Sequence, residues 1–525
     1  MKNILISCIL SIFFLGLSAQ QVQRITQINY YGSLGLDPRN ITPFNEKLYF
    51  SATYEGSYQN SLCMSDGTEA GTIMVKRINE DHNTGWATSL GYFVVYNNKL
   101  IFWDASYKKL WSSDGTTAGT QPFAGVRVGA KPVEYNGKLY FSGADTIQAN
   151  PNFQLWVSDG TTTGTKLLNT INPAGNSNPV NFFVFNNLLY FGAYDNANSS
   201  QLWTTDGTVA GTKMLKQIYP NGSSYPSNFI SFNNKLFFSA NDGVNGAQIW
   251  TSDGTASGTT RVTTINVSLG YGLSPYDFTP FNGKIYFQGA DTNAFYQLWA
   301  TDGTATGTTL IKADHSIVNG VRGFQPGDIT VFKNKLYMSA FDSVNQLQLW
   351  VSDGTTAGTS RVTDTVFSPR YLTVLNNTLV MQNGAVCASD GTLAGTKTCP
   401  IEGEYGVDFY YFQGFVPFAG ALYFNASYQS PFDYQLCKFI DSPSGIPESM
   451  VKTFTVYPNP CDDHLTLNLK LPVANIQITD LNGKIILSAP CKTTTVNLSG
   501  LAPGNYLVIA QLKNGEKYIS KFIKK

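Results

Sequence analysis

Aspartates in a repeated turn, and aromatic residues strung through the loops between those turns, are the side chains of this sequence whose pattern could do chemistry. The aspartates are Asp66, Asp114, Asp159, Asp206, Asp253, Asp302, Asp353 and Asp390, each opening the string Asp-Gly-Thr-x-x-Gly-Thr. Calcium is one chemistry for such carboxylates, but it takes about six to eight oxygens and each string offers a single acid. An Asp that accepts an N–H two residues on, followed by glycines free to take positive φ, is instead the chemistry of a turn. A structural turn role is therefore assigned to all eight, with calcium as the alternative and no other cofactor or metal expected.

An enzyme needs an acid, a base or a nucleophile, and the chain has only three histidines: His82, His315 and His464. No Gly-x-Ser-x-Gly elbow, His-Glu-x-x-His zinc motif or glycine-rich phosphate loop occurs. Two carboxylates for glycoside cleavage could come from many loops, so a polysaccharide-degrading enzyme stays as an alternative. A sialidase would need clustered arginines, and the eight here are scattered. Charged residues make up 13% of the chain, formal net charge is zero and no basic stripe tracks a phosphate backbone, which excludes nucleic acid as a partner.

The elements that must position these residues come from the repeat. Successive strings start 37 to 51 residues apart, the size of a four-stranded propeller blade. Upstream of each lies an aromatic residue or Leu, two turn residues and a hydrophobic run, as in Phe232-Asn233-Asn234-Lys235-Leu236-Phe237-Phe238. Asn-Asn and Asn-Gly tolerate positive φ at both centres of a two-residue hairpin. Then come Gln-Leu-Trp or a relative, the Asp-Gly-Thr turn and a last strand, giving strands A to D in up-and-down order. Counting symmetrically about the turn pairs each strand-C Trp with the residue twelve on, such as Leu168, Leu215 or Val262.

The A–C pattern occurs nine times, and its last copy, ending Gln435-Leu436-Cys437, lacks a D strand. Arg24-Ile25-Thr26-Gln27-Ile28-Asn29 resembles a D strand with nothing before it. An N-terminal strand completing the last blade would close the ring and remove its free edges. The expectation is an all-β chain: a closed β-propeller of about nine blades over residues 20–441, with eight blades or an open solenoid as alternatives. Residues 1–19 read as a secretory leader ending Leu17-Ser18-Ala19, too short to stay as a span, and no later stretch is long enough to cross a membrane. Residues 442–448 read as a linker, and 449–525, with seven short strand-like runs, as a small antiparallel Ig-like β-sandwich.

Two stretches carry a resemblance. Leu155 to Thr165 and Leu349 to Thr359, reading Leu-Trp-x-Ser-Asp-Gly-Thr-x-x-Gly-Thr, resemble the ELWxxDGT repeat of secreted bacterial proteins, with Gln, or Lys109 in the second unit, in place of the leading Glu. Tyr457-Pro458-Asn459-Pro460, Gly483, Gly504, Tyr506 and the basic end Lys524-Lys525 lie in segments similar to the C-terminal sorting domain, type A, of the type IX secretion system of Bacteroidetes. The resemblance implies Sec export, then outer-membrane passage with that machinery as partner, and release or surface attachment.

In such a blade the uniform turns share one face of the ring and the variable loops the other, where binding is usually placed. That face carries Asp81, His82, Trp86, Tyr219, Tyr225, Tyr271, Tyr276, Tyr296, His315, Tyr405, Tyr410 and Tyr411. Exposed aromatic rings suit sugar rings, which stack through their C–H faces. The expected role is a non-catalytic binding or adhesion module for extracellular glycan, with a structural surface protein binding a protein partner as a further alternative. Loop plugging is the bland reading of the same residues. Six cysteines follow the leader. Cys387 occupies the Trp position and Cys399 lies twelve residues on, which makes them candidates for a cross-strand disulfide, and Cys461 and Cys491 are candidates in the tail.

Overall fold

The computed structural model describes residues 19–525 apart from 28–34, 54–59, 79–89, 106–107, 146–150, 319–320, 343–345, 365–367, 400–411, 428–433, 443–451, 470–472, 480–484, 491–494 and 513–516. The described residues contain strands and one 3-10 turn, Ser268–Gly270, but no α-helix. The chain divides into two compact units, one spanning Val22–Ile440 and the other including Asp441–Lys525.

The described residues of the first unit form a closed propeller of nine blades. Blade 4 shows the plan: strand A, Val180–Phe185, strand B, Leu188–Asp195, strand C, Ser199–Thr205, and strand D, Lys213–Lys216, pair antiparallel in that order. Its A–B hairpin turns on Asn186 and Asn187, both at positive φ, as the twist of the flanking strands requires. In blade 2 strand D, Gln121–Val128, runs on to pair with strand B of blade 3, Lys138–Asp145, so these two blades form one continuous sheet.

Blades pack face to face, which is why strand B reads as a nearly unbroken apolar run: both of its faces are covered. Tyr190, Leu202 and Leu215 of blade 4 meet Leu236, Phe238, Ala240 and Trp250 of blade 5 in one core cluster. Each fully buried Phe or Leu there contributes about 1.5–3 kcal/mol.

Closure is made by the N-terminus. Strand Ala19–Arg24 adds as the fourth strand of blade 9, beside Tyr434–Ser442. Ile25 N–H donates to Leu436 O at 2.8 Å, and the Thr26 hydroxyl to Gln435 Oε1 at 2.6 Å. Ile25 and Leu36 then pack with Phe50 and Cys63 of blade 1 and Tyr423 and Leu436 of blade 9. A nine-membered closed ring replaces both the eight-bladed and the open alternatives.

The innermost strands are tied to one another in a way the repeat did not announce. A β-bulge places Asn40, Tyr92, Asn181, Asn228, Asp277, Asp328 and Tyr371 at positive φ, one in strand A of each of blades 1, 2 and 4 to 8. Several of these side chains reach the next blade: Asn40 Nδ2 to Leu90 O at 2.7 Å, Asn181 Nδ2 to Pro226 O and Asn228 Nδ2 to Pro275 O, both 3.1 Å. Asp277 and Asp328 accept instead, from Ile329 N–H and Tyr371 N–H. Asn40 N–H donates to Gln413 Oε1 and joins blade 1 to blade 9. Asn and Asp suit the position because they tolerate the left-handed region and carry a short polar arm.

One register expectation fails by a residue. Trp203 pairs with Met214 and Leu202 with Lys216, so Leu215, twelve on from the Trp, is the extra residue of a bulge. It packs on the blade 5 side, while Trp203 packs toward blade 3. The same offset removes the proposed Cys387–Cys399 disulfide. Cys387 pairs with Thr398, its Sγ 3.7 Å from the Thr398 hydroxyl. Cys387 lies in the core toward blade 7 and Cys399 in the core toward blade 9, on opposite faces of one sheet, and no bond joins them.

The second unit is a small sandwich. Five strands, Lys452–Thr453, Lys517–Lys524, Gly504–Leu512, Val473–Thr479 and Ile485–Pro490, form one sheet, and Thr455–Tyr457, His464–Asn468 and Thr495–Asn497 the other. Leu465, Leu467, Ile476, Ile478, Val508 and Phe522 fill the space between. It has one strand more than the seven expected, because Lys452–Thr453 pairs parallel with the last strand.

Candidate functional site

On the uniform face each Asp-Gly-Thr turn satisfies itself. In blade 4 Asp206 Oδ1 accepts the Thr208 amide at 2.9 Å and its hydroxyl at 2.7 Å, and the Thr208 oxygen accepts Gly211 N–H at 2.9 Å. Thr205 and Thr212 hydroxyls meet at 2.8 Å across the base of the turn. Gly207, at φ +94°, lies against the Tyr140 hydroxyl of blade 3, and a Cβ on Gly211 would overlap the Asp206 carboxylate. The other seven aspartates make the same two bonds to the threonine two residues on. Among the described residues no cluster of three or more His, Cys, Asp or Glu could hold a metal.

The Thr208 hydroxyl and amide hold the Asp206 carboxyl below the ordinary carboxylate range, and Asp66, Asp159, Asp302 and Asp353 are lowered by the equivalent bonds. A depressed folded-state pKa contributes stability above the unfolded value of about 3.9, which is lost as pH falls through the lower folded values. The thermal midpoint should therefore hold from pH 6 to about pH 4 and drop between there and pH 2.5. A midpoint that does not move in that window would show that these bonds add nothing.

On the loop face the organising residue is the Gln before Leu-Trp. Gln201 is fully buried. Its Nε2 donates to Asn198 O at 2.6 Å, Tyr219 O at 2.9 Å and Gly222 O at 2.8 Å, and its Oε1 accepts Ile218 N–H at 2.8 Å and Tyr219 N–H at 3.2 Å. One amide thus fastens the B–C loop to the loop leading into the next blade. Gln154, Gln248 and Gln297 do the same in blades 3, 5 and 6.

These clamps decide where the candidate residues lie. Tyr219 is half-buried with its ring between Gly222 and Gly243, so it plugs its loop rather than offering a platform. Tyr271 is exposed beside the short 3-10 turn, its carbonyl accepting Ala247 N–H at 3.0 Å. His315 Nε2 sits 2.7 Å from Asp291 Oδ2, and its ring packs edge-on against Phe295. Asp291 also accepts from Asn293 N–H, Phe295 N–H and Gln297 Nε2, so the pair is built into the loop clamp of blade 6. Asp81, His82, Trp86, Tyr405, Tyr410 and Tyr411 fall outside the described residues. The strand-C tryptophans Trp111, Trp250, Trp299 and Trp350 are buried in the blades.

Tyr225, Tyr276 and Tyr296 come to the mouths of two cavities. One, of about 520 Å³, is lined by Asn172, Asn176, Asn178, Val180, Tyr194, Asn196, Ser200, Ser223 and Tyr225, among others. The other, of about 450 Å³, is lined by Asn228, Ser239, Ser274, Tyr276, Gln288, Tyr296 and Gln325, among others. Tyr225 is 69% exposed, Tyr276 59% and Tyr296 37%. A third cavity, of about 330 Å³, lies beside the inner strands of blades 9, 1 and 2, with Asn40, Tyr92, Lys131 and Gln413 on its wall. The sequence signal for the first two, not used above, is a proline two residues before the bulged Asn or Asp: Asn178-Pro179-Val180-Asn181, Tyr225-Pro226-Ser227-Asn228 and Ser274-Pro275-Tyr276-Asp277 all end a loop and begin strand A, with the residue before each Pro at positive φ.

In the tail unit the segment Tyr457-Pro458-Asn459-Pro460, with both X-Pro bonds cis, lies along the C-terminal strand. Asn459 Oδ1 accepts Ile523 N–H at 2.9 Å and its Nδ2 donates to Lys521 O at 3.1 Å. Cys461 N–H donates to Ile523 O and Lys525 N–H to Cys461 O, while the buried Lys524 reaches Asp463 at 3.4 Å. Tyr506 stacks on Phe522 and donates to Ala502 O. Gly504 faces Lys524 across the sheet. The motif residues near the start of the domain and the basic end are thus one assembly. Cys461 keeps a thiol whose Sγ donates to Ile523 O, and Cys491 and Gly483 lie outside the described residues.

Residues 455–525 match the family described as the secretion system C-terminal sorting domain. No curated protein matches the chain. Among solved structures it is similar to a puromycin hydrolase, at 12% identity and TM-score 0.34, covering 66% of this chain and 58% of that one. It is also similar to PorZ, a surface component of the type-IX secretion system of Porphyromonas gingivalis, at 12% identity and TM-score 0.31, covering 93% and 86%. The protein lmo1340 of Listeria monocytogenes is similar at 9% identity and TM-score 0.37, covering 73% and 98%. The chain spans under two thirds of the puromycin hydrolase, and at such scores no function is carried across. The tail does carry an address: residues 455–525 are a type IX secretion sorting domain, and the chain is secreted by that route, to the exterior or the outer-membrane surface.

Proposed function

We propose that this chain is an exported β-propeller that holds an extracellular glycan on its loop face without transforming it, after removal of a leader over residues 1–19. The observation that carries the reading is the placing of Tyr225, Tyr276 and Tyr296, exposed, at the mouths of two cavities on a rigid ring. Solvated Tyr rings present a flat apolar face to the C–H side of a sugar and a hydroxyl to its edge. Clefts with a few convergent polar groups are where small ligands settle. The half-exposed His315, paired with Asp291, supports a second reading, in which the same scaffold cleaves a polysaccharide.

Native affinity electrophoresis of the full chain, in gels cast with different polysaccharides and then stained for polymer, separates the two. Retardation without clearing is expected. Clearing around the band would make it an enzyme and direct attention to His315 and Asp291. Unchanged mobility in every gel would move the ligand to a protein.

A further inference from the structure

The two cavities are copies of one niche, two blades apart. In the first the framing positions are Asn178, before the proline of the loop entering blade 4, Val180 after it, Ser200 before the clamp glutamine, and Tyr225 before the next proline. The equivalent positions of the second are Ser274, Tyr276, Tyr296 and Gln325, around blade 6. The correspondence follows from the repeat register: Gln201 and Gln297 occupy the same place in their blades, as do Pro226 and Pro326. Four framing positions are thus equivalent, and each niche adds residues of its own, among them Asn172, Asn176 and Asn196 in the first and Asn228, Ser239 and Gln288 in the second.

The lining chemistry is equally consistent. Neither niche has a Lys, Arg, Asp, Glu or His on its wall; the polar groups are amides and hydroxyls throughout. Some of those groups are already used to build the wall: Asn176 Oδ1 accepts Phe153 N–H, Ser223 Oγ accepts Ser200 N–H and Asn172 Nδ2 donates to Asn176 O. Tyr225 in the first niche and Tyr276 and Tyr296 in the second are exposed, and Asn176 and Asn178 in the first and Gln288 in the second line the wall with side-chain amides. An amide presents donors and acceptors side by side, as a sugar hydroxyl does. An anionic ligand would find no cation to replace its water there.

We infer that the loop face binds a neutral, hydroxyl-rich polysaccharide, one chain of which occupies both niches at once. The inference rests on the glycan reading above and narrows it to a charge class and to two equivalent sites. Two weak sites joined by one polymer bind it far more tightly than either binds a fragment, because the second contact is made at the high effective concentration set by the first.

The test uses the full exported chain and its Tyr225→Ala and Tyr276→Ala variants, each first shown to melt like the parent. The probes are galactomannan, laminarin and pullulan as neutral polymers, and alginate and polygalacturonate as acidic ones. Retardation by at least one neutral polymer and by neither acidic one is expected, with each variant weakened at least tenfold. Calorimetry with a short oligosaccharide cut from the retarding polymer should give two sites per chain in the parent and one in each variant. Retardation by the acidic polymers alone would overturn the charge class while leaving the glycan reading intact. A single fragment site, or variants that bind polymer like the parent, would overturn the paired niches. Binding to no polysaccharide would remove the glycan reading itself.

Discussion

Deleting residues 22–26 should leave a chain that does not fold to a monomeric propeller. Val22 and Thr26 are fully buried and Ile25 nearly so. Two apolar side chains lost from the core cost about 1.5–3 kcal/mol each. Gln435 Oε1 would lose the Thr26 hydroxyl, and Leu436 O its donor and Leu436 N–H its acceptor, at about 1–3 kcal/mol for each Leu436 group left buried and unpaired. The sum approaches the whole net stability of a typical domain, about 5–15 kcal/mol. It also uncovers the Tyr434–Ser442 strand as an edge. Size-exclusion chromatography with limited proteolysis reads the result: aggregated or rapidly degraded protein is expected. Thr26→Val, which keeps the shape and removes only the hydroxyl, should cost about 1–3 kcal/mol in urea unfolding. A truncated chain that elutes as a monomer and melts like the parent would show that the ring does not depend on its seam.

Replacing Gln201 is the second large effect. Gln201→Leu removes both amide hydrogens and the amide oxygen from a fully buried site, taking a partner from three carbonyls and two backbone N–H groups, of which Tyr219 O keeps Gly222 N–H. With partial relaxation this should cost about 3–5 kcal/mol in urea unfolding of the propeller, and it should loosen the Asn198 and Tyr219 loops to proteolysis. Gln201→Glu keeps the length of the side chain and replaces its amide with a carboxyl, and its outcome depends on pH. A carboxylate cannot donate, so three carbonyls would face a negative oxygen, and the folded state would hold the new acid protonated with its pKa raised. A raised carboxyl pKa favours the fold fully below the unfolded value of about 4.3 and loses that contribution as pH rises through the folded value. The variant should therefore lie nearest the parent at pH 4 and be most destabilised at neutral pH. An equal stability gap at both pH values would mean that the glutamine nitrogen does not hold the loops.

The blade plan, turn chemistry and the closing strand were legible because each is written in local residue types: paired Asn at the hairpins, Asp-Gly-Thr at the C–D turns and a D-like strand with no blade before it; the number of blades stayed open between nine and eight. The Leu215 bulge was not legible, because counting outward from a turn assumes one residue opposite one, and a bulge is defined by breaking that assumption. The Cys387–Cys399 expectation failed for the same reason. At the site, sequence could place Tyr225, Tyr276 and Tyr296 on the loop face, but could not separate them from Tyr219, since all four are tyrosines in the same kind of loop. What separates Tyr219 is a pair of glycines that let its ring lie down, and one of them, Gly243, comes from the following blade. The clamp was hidden in plain sight: Gln before Leu-Trp reads as a polar spacer until its five partners are drawn.

The seam at Thr26 and Gln435 joins positions 409 residues apart. Made early, in an otherwise open chain, such a contact would cost about 5 kcal/mol of closure entropy, from (3/2)RT ln n. Made after blades 1 to 8 have stacked, it costs little, because stacking has already brought the ends together. Folding thus runs to completion only when the final blade has arrived to receive the first strand. The ring thereby acts as a proofreader of chain length: a product cut short before blade 9 keeps an unclosed seam, and it also lacks the tail that would carry it out of the cell.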